Sequence, residues 1–346
     1  MNVNDCDRIL VIKPSSLGDI VHTIPAVLAI HRTVPGVEIS WVVNTEWAPL
    51  LEGLSFLTHV IPFPRKEFRG PSGILAANQW ANRELKPLKP TLTIDFQGLL
   101  RSGWMTWKSG PECSVGFDKT REGARLFYDV KVPVENWKGT HAVDRYMALA
   151  RACGITPSSQ TEFELPKGEA LDGLDLPEAD PWILLHPFSR GDGKSFTVSE
   201  VIEFCRESAP YPVVLVGAGG PELPESLPEN AWNLMGKTSL GQLISVIRKA
   251  SWTVSVDSGP MHLAAGITDR VLSVHTWSDP KTVGPRPENA WIWRAGEIMQ
   301  RGRVADEQFP EQRELRDSFA SADRLLPAEE LKKIAEFVKE RIQVSR

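Results

Sequence analysis

The chain has few cysteines, only Cys6, Cys113, Cys153 and Cys205 in 346 residues, and no two of them stand at CxxC spacing. That scarcity excludes a disulfide framework and a thiolate zinc site, and it fits a reducing, cytoplasmic setting. Long apolar runs are missing as well. None approaches the roughly 18–20 residues that a membrane-spanning helix needs. The opening Met1-Asn2-Val3-Asn4-Asp5 lacks the basic stretch and apolar core of a signal peptide. No HExxH, P-loop or GxSxG string is present, which argues against zinc-protease, P-loop NTPase and hydrolase chemistry. There is no positive surplus either. The net charge is −5, so general nucleic-acid binding is not expected.

What is present is ordinary for a globular protein, with 42% hydrophobic and 24% charged residues, and a length that suggests two domains. The charge is unevenly spread. Residues 61–125 hold 11 Lys/Arg against 6 Asp/Glu, a surplus of five, which leaves the rest at −10. Such a window reads either as an ordinary solvated face or as a site for an anionic substrate or surface.

Short Val/Ile/Leu-rich runs alternate with helical patterns. Strands are predicted at Arg8–Lys13, Glu38–Val43, His59–Phe63 and Thr91–Phe96, with helices over Asp19–Arg32 and His141–Cys153. The pattern lapses in a Pro-, Gly- and acid-rich stretch and then restarts. Strands follow at Trp182–His186, Val213–Val216, Trp252–Val256 and Val271–His275, and helices at Ser199–Ser208, Leu240–Ala250, from Met261 and over Pro327–Ile342. This predicts an α/β protein of two Rossmann-like, doubly wound domains with a ligand cleft between them. The expected boundaries are 1–165, a linker over 166–181, 182–325, and a C-terminal segment 326–346 that can pack back on the first domain. Residues 296–326 are polar and irregular, with no assigned role.

Several loops at strand ends carry reactive side chains. Pro14-Ser15-Ser16-Leu17-Gly18-Asp19 follows the first strand and is not a GxGxxG fingerprint. Asp19 reads either as an acid complementing the helix dipole or as a general base for a sugar hydroxyl. Asp257-Ser258-Gly259-Pro260-Met261-His262 leads a buried strand into a helix, whose first amides suit a diphosphate. Ser258 can equally be an N-cap, and His262 a core histidine. In His186–Phe196, Ser189 and Lys194 are either phosphate ligands or ordinary loop residues. Val216-Gly217-Ala218-Gly219-Gly220-Pro221-Glu222 departs from the dinucleotide pattern at its last position. Glu222 there reads as a ribose ligand or as a helix-start acid. Gln97 and Arg101 leave another strand, and Arg65, Lys66, Arg69 and Arg121 supply cations for carboxylate or phosphate.

Taken together, KPSSLGDIVHTIPAV (13–27), DFQGLLRS (95–102), NLMGKTSLGQL (233–243), SVDSGPMHLAAG (255–266) and SDPKTVGP (278–285) resemble the ADP-heptose–lipopolysaccharide heptosyltransferases of glycosyltransferase family 9, across residues 8–290. Thr120-Arg121-Glu122 and Leu126-Phe127-Tyr128 look most like heptosyltransferase I. The resemblance implies a GT-B fold and inverting transfer of heptose from ADP-heptose to the Kdo inner core, without an obligatory cofactor or metal. It implies Asp19 as base. Ser189, Lys194, Glu222, Met235, Asp257, Ser258, Gly259 and His262 fall to the donor, and Arg65, Lys66, Arg69, Gln97, Arg101 and Arg121 to an anionic glycolipid acceptor. A monomer with peripheral inner-membrane contact and no nucleic-acid partner is expected. Phe196 departs from the pattern, where Trp is common. The alternatives are a family member with another sugar nucleotide or acceptor, a GT-B sugar-nucleotide epimerase, and a non-catalytic binder.

Overall fold

A computed structural model describes residues 3, 6–156, 161–190, 193–304 and 326–344. The chain divides into two compact units, Met1–Pro166 and Lys167–Arg346.

In the first unit, β1 (Arg8–Ile12), α1 (Leu17–Thr33), β2 (Glu38–Asn44), β3 (His59–Phe63), α2 (Gly70–Glu84), β4 (Leu92–Asp95), α3 (Leu100–Ser109), β5 (Cys113–Phe117), β6 (Val130–Val132) and α4 (Ala142–Ala152) follow in chain order. The strands form one parallel sheet in the order β3-β2-β1-β4-β5-β6. This is a doubly wound order. The chain runs outward from β1 to β3, then returns to the other side of β1 with β4. The carboxyl ends of β1 and β4 therefore flank the switch point where such sheets bind ligands. Strand β1 is apolar because both its faces are covered, and Leu10, Val11 and Ile12 are fully buried. Helix α1 is buried almost all round, packing on α4, where the His22 and His141 rings meet edge to face at 5.3 Å.

The second unit repeats the plan with β7 (Ile183–His186), α5 (Val198–Glu207), β8 (Val213–Leu215), β9 (Ala231–Asn233), α6 (Leu240–Lys249), β10 (Trp252–Val256), α7 (Gly259–Ile267), β11 (Val271–Val274), α8 (Pro280–Val283), β12 (Trp291–Arg294), β13 (Glu297–Gln300) and α9 (Ala328–Val344). Its sheet runs β13-β12-β11-β10-β7-β8-β9, parallel throughout except for the β12–β13 pair. The switch point here lies between β7 and β10. Strand β13 falls in the stretch read as irregular, while residues 305–325 lie outside the described residues.

Two expectations change. The terminal helix was expected back on the first domain. Instead α9 buries Leu331, Ile334, Ala335, Val338 and Ile342 in the core of the second unit and packs on α5. The large aliphatic chains contribute about 1.5–3 kcal/mol apiece by burial, which holds the helix there. Phe337 packs against Trp291 at 4.9 Å, and the Trp293 indole N–H donates to Glu330 at 2.8 Å. The second change concerns the stretch read as a linker, which is fastened to α6. Glu169 donates its amide to the Gly241 carbonyl and accepts from the Ser239 hydroxyl, and its own carbonyl accepts from Ser245.

Candidate functional site

Each unit gathers polar side chains at its switch point, and each constellation is described within its own unit. In the first, Asp19 stands in the opening turn of α1. Ser16 donates both its amide (3.2 Å) and its hydroxyl (2.8 Å) to Asp19 Oδ2. The residue therefore does tie down the helix start, as the structural alternative held. Its other oxygen is used differently. Asp19 Oδ1 accepts from the Tyr146 hydroxyl of α4 at 2.9 Å, and the residue is largely but not completely buried. Burial raises its pKa, but the Lys13 ammonium and the bonds from Ser16 and Tyr146 outweigh that, so it lies below the ordinary value. Asp19 is thus ionised at neutral pH.

Lys13 directly follows β1 and is buried. Its Nζ donates to the Phe96 carbonyl at 3.2 Å and lies 4.7 Å from the Tyr146 ring centroid. Burial lowers its pKa, and the Asp19 and Asp95 carboxylates offset only part of the shift. Asp95, fully buried at the end of β4, accepts from the Gln97 and Gly98 amides and, at 2.5 Å, from the Tyr128 hydroxyl. Burial holds its pKa above the usual carboxylate range. Tyr128 reaches it across Gly116, where a Cβ would lie 2.3 Å from the ring. Gln97 spends its side-chain carbonyl on the Ser15 amide at 3.2 Å, so it supports the Asp19 loop. Arg65, Lys66, Arg69, Arg101 and Arg121 are all exposed. The Arg101 guanidinium lies 5.9 Å from the Phe63 ring centroid, and burial together with the nearby Arg65 charge lowers its pKa.

In the second unit the centre is Asp257, one residue beyond β10 and 8% exposed. Lys194 donates to its Oδ2 at 2.6 Å, and His262 Nε2 lies 3.9 Å from Oδ1. Burial alone would raise the Asp257 pKa. The neighbouring His275, His262 and Lys194 instead hold it at about 2. Ser258 occupies the N-cap position of α7 but makes no side-chain cap bond. Its hydroxyl lies 3.1 Å from His186 Nδ1, at the end of β7. The first turn of α7 offers the amides of Gly259 and Met261, which have no partner within the helix, while Pro260 offers none. His275 is fully buried between the Ser273 and Ser278 hydroxyls, at 3.1 and 3.0 Å. Burial lowers both His186 and His275 to about 4, so both rings are neutral at pH 7. Buried Arg294 at the end of β12 donates to the Ser278 carbonyl at 2.6 Å.

Ser195 closes the Lys194 loop. Its hydroxyl accepts from the Ser189 amide and donates to the Ser189 carbonyl, and Ser189 Oγ is buried with no hydrogen-bond partner among the described residues. Gly191 and Asp192 lie outside the described residues. Met235 packs on Gly217, where a Cβ would meet its methyl carbon at 2.7 Å. Glu222 is exposed in an irregular loop. No helix starts there, so its reading as a helix-start acid does not hold. Lys194, Asp257, Ser258 and His262 are therefore gathered. Lys13, Tyr146, His186, His275 and Arg294 went unassigned. Four of these five terminate or directly follow apolar strands, and a polar residue closing such a run is the signal that would have found them. Among the described residues, no group of three or more His, Cys, Asp or Glu side chains is arranged to hold a metal ion.

Comparison with known proteins fits two doubly wound sheets with polar groups at both switch points. Lipopolysaccharide heptosyltransferase 1 of Escherichia coli O18:K1:H7 is 28% identical over 323 residues, covering 88% of this chain and 97% of that protein. The enzyme of the same name from Pseudomonas aeruginosa is 29% identical over 295 residues, covering 80% and 81%. The fold matches the solved E. coli heptosyltransferase WaaC with ADP at a TM-score of 0.72 and 23% identity, over 96% of this chain and 99% of that one. It also matches E. coli heptosyltransferase II at 0.74 and 19%, over 98% and 99%. These likenesses make the fold GT-B in type. The model of glycosyltransferase family 9 (heptosyltransferase) matches residues 81–310, a span holding both the Asp95 loop and the whole Asp257 cluster, and the chain is a transferase belonging to that family.

Proposed function

We propose that this chain moves heptose from ADP-heptose to the Kdo inner core of lipopolysaccharide, with inversion and with Asp19 as general base. The observation that carries the reading is the state of Asp19. It is ionised, partly buried and held through both oxygens at a switch point, with Lys13 buried beside it. In the proposed step an acceptor hydroxyl gives its proton to Asp19 while its oxygen bonds to the anomeric carbon. The bond from that carbon to the diphosphate oxygen breaks on the opposite face, and ADP leaves with the electron pair. A carboxylate of low pKa is a weak base for a free hydroxyl. It becomes competent late in the step, when bond formation has acidified the proton.

The donor groups act on the leaving diphosphate. Lys194 is the mobile charge, at present bound to Asp257. A diphosphate competes for this ammonium, and the α7 amides of Gly259 and Met261 supply further donors to the developing charge. Asp257, released from Lys194, then accepts from a sugar hydroxyl, with His262 beside it. Ser189 and Ser258 offer hydroxyls to phosphate, Met235 packs against the base and Glu222 accepts from ribose. Arg65, Lys66, Arg69, Arg101 and Arg121 receive the carboxylates and phosphates of the acceptor. Gln97 acts through the loop that it supports. No cofactor is required by this scheme. The protein acts as a monomer in the cytoplasm, in peripheral contact with the inner membrane, where its acceptor resides.

Asp19→Ala should lower turnover by about 10²–10⁴-fold if the proton transfer is as proposed, with ADP affinity unchanged. Near-normal turnover would remove Asp19 from the mechanism. Thermal-shift measurements with ADP, UDP and GDP test the donor, because a bound ligand raises stability by mass action. A preference for UDP would point to another sugar nucleotide.

A further inference from the structure

Among the described residues seven large apolar side chains are exposed, and six lie between residues 74 and 130: Ile74 (75% exposed), Leu75 (62%), Leu100, Trp107 (59%), Leu126 (84%) and Val130. They stand on neighbouring elements. Helix α3 touches both α2 and the 3-10 turn Ala124–Phe127. The turn lies tight on α3, since a Cβ at Gly103 would be 2.6 Å from the Phe127 ring and 3.1 Å from the Ala124 carbonyl. The Leu100 amide also donates to Glu122 beside the turn. A surface helix ordinarily turns its apolar stripe inward. On α3, Leu100 and Trp107 face solvent next to Arg101, and the Lys108 ammonium sits 4.8 Å from the Trp107 ring centroid.

Charge decides among occupants. Exposed cations stand on the same elements: Arg69 caps α2, Arg101 lies on α3 close enough to feel the Arg65 charge, and Arg121 precedes Glu122, which accepts from the Leu100 amide. A second copy of this chain on the same face would oppose cations to cations. A nucleic acid would leave the aliphatic chains without a partner. An anionic bilayer satisfies both, taking aliphatic and indole side chains at the headgroup boundary and offering phosphates to the cations.

We propose that α2, α3 and the Ala124–Phe127 turn form a docking surface for an anionic lipid bilayer, with Ile74, Leu75, Trp107 and Leu126 as its inserting side chains. The surface stands on the geometry above, and only the statement that the same bilayer carries the acceptor rests on the activity proposed in the preceding section.

The test is flotation of the full chain with vesicles of phosphatidylcholine alone, or of equal parts phosphatidylcholine and phosphatidylglycerol. The variants are Leu75→Glu, Trp107→Glu and Leu126→Glu, with Val344→Glu as a control at the exposed apolar side chain outside the patch. Wild type should float with the anionic vesicles only, and less at high salt. Each patch variant should bind at least about 10-fold more weakly, and Val344→Glu should match wild type. All four should transfer heptose to a deacylated, water-soluble acceptor at the wild-type rate. Failure of wild type to float, equal binding by the patch variants, or equal loss in Val344→Glu would overturn the surface. So would a wild-type dimer that Trp107→Glu converts to monomer. Flotation without any heptose transfer would count against the proposed activity and leave the surface standing. Transfer to the soluble acceptor without flotation would do the reverse.

Discussion

Acid should weaken the second unit before it affects the ordinary carboxylates, and two histidines set the window. His186 and His275 are buried, with pKa values lowered from an ordinary 6.5 to about 4. An unfolded chain takes up a proton at each near pH 6.5, while the folded unit refuses both until about pH 4. Stability therefore falls with falling pH across that interval, because the unfolded state binds more protons there. Each histidine contributes a slope of about 1.4 kcal/mol per pH unit, so the pair gives about 2.7 kcal/mol per unit. Over the whole window each accounts for about 3 kcal/mol. Asp257 falls outside it. Its depressed pKa of about 2 adds stability present above pH 4 and lost only below that. The assay is urea-dependent hydrogen exchange by mass spectrometry, on peptides spanning Ile183–His186 and Trp252–Val256, at several pH values from 7 to 4.5. His275→Gln should halve the slope whatever it does to the absolute stability, and His186→Asn with His275→Gln should flatten it. A wild-type slope near zero, or an unchanged slope in the double variant, would refute the burial argument.

Three further outcomes follow from particular contacts. Lys194→Ala should weaken ADP binding by about 10- to 100-fold, from the loss of a charge-assisted hydrogen bond, which calorimetry would read; unaltered affinity would leave Lys194 as a partner of Asp257 only. Lys13→Met removes the ammonium that holds the Asp19 pKa down, so the acid limb of kcat/KM should move to higher pH, and an unmoved limb would deny Lys13 that influence. Gly116→Ala places a methyl group 2.3 Å from the Tyr128 ring and should cost about 1–3 kcal/mol in the first unit, read by exchange of peptides over Cys113–Phe117; a neutral effect would mean that Tyr128 and Asp95 can part freely.

Apolar strand runs and helix starts were legible because periodicity reports burial directly. His59–Phe63 and Trp252–Val256 match to the residue, and α1 differs by a residue or two at each end. Helices α2 and α3 went unread. Each turns apolar side chains outward, Ile74 and Leu75 in one and Leu100 and Trp107 in the other, and this erases the one-faced stripe that marks a buried helix. Strand β5 was hidden by Gly116, which is explained only by a tyrosine twelve residues later. In the candidate site, Asp19, Lys194, Asp257, Ser258 and His262 stand in loops whose composition drew attention. Lys13, His186 and His275 close apolar strands, a position that marks them, but their meaning depends on burial or on partners 72 to 133 residues away, as His186 with Ser258 and Lys13 with Phe96 and Tyr146 illustrate. The position of the terminal helix was misjudged for a related reason. Its apolar stripe shows that a core exists to receive it, without saying which.

The central claim is heptose transfer driven by Asp19. It is tested most directly by incubating the full chain with ADP-heptose and Kdo-lipid A and weighing the glycolipid by mass spectrometry, beside Asp19→Asn. The account predicts one added heptose and stoichiometric ADP with wild type, and neither product above background on the same timescale with the variant. An unmodified glycolipid with wild type, or equal addition by the variant, would contradict it.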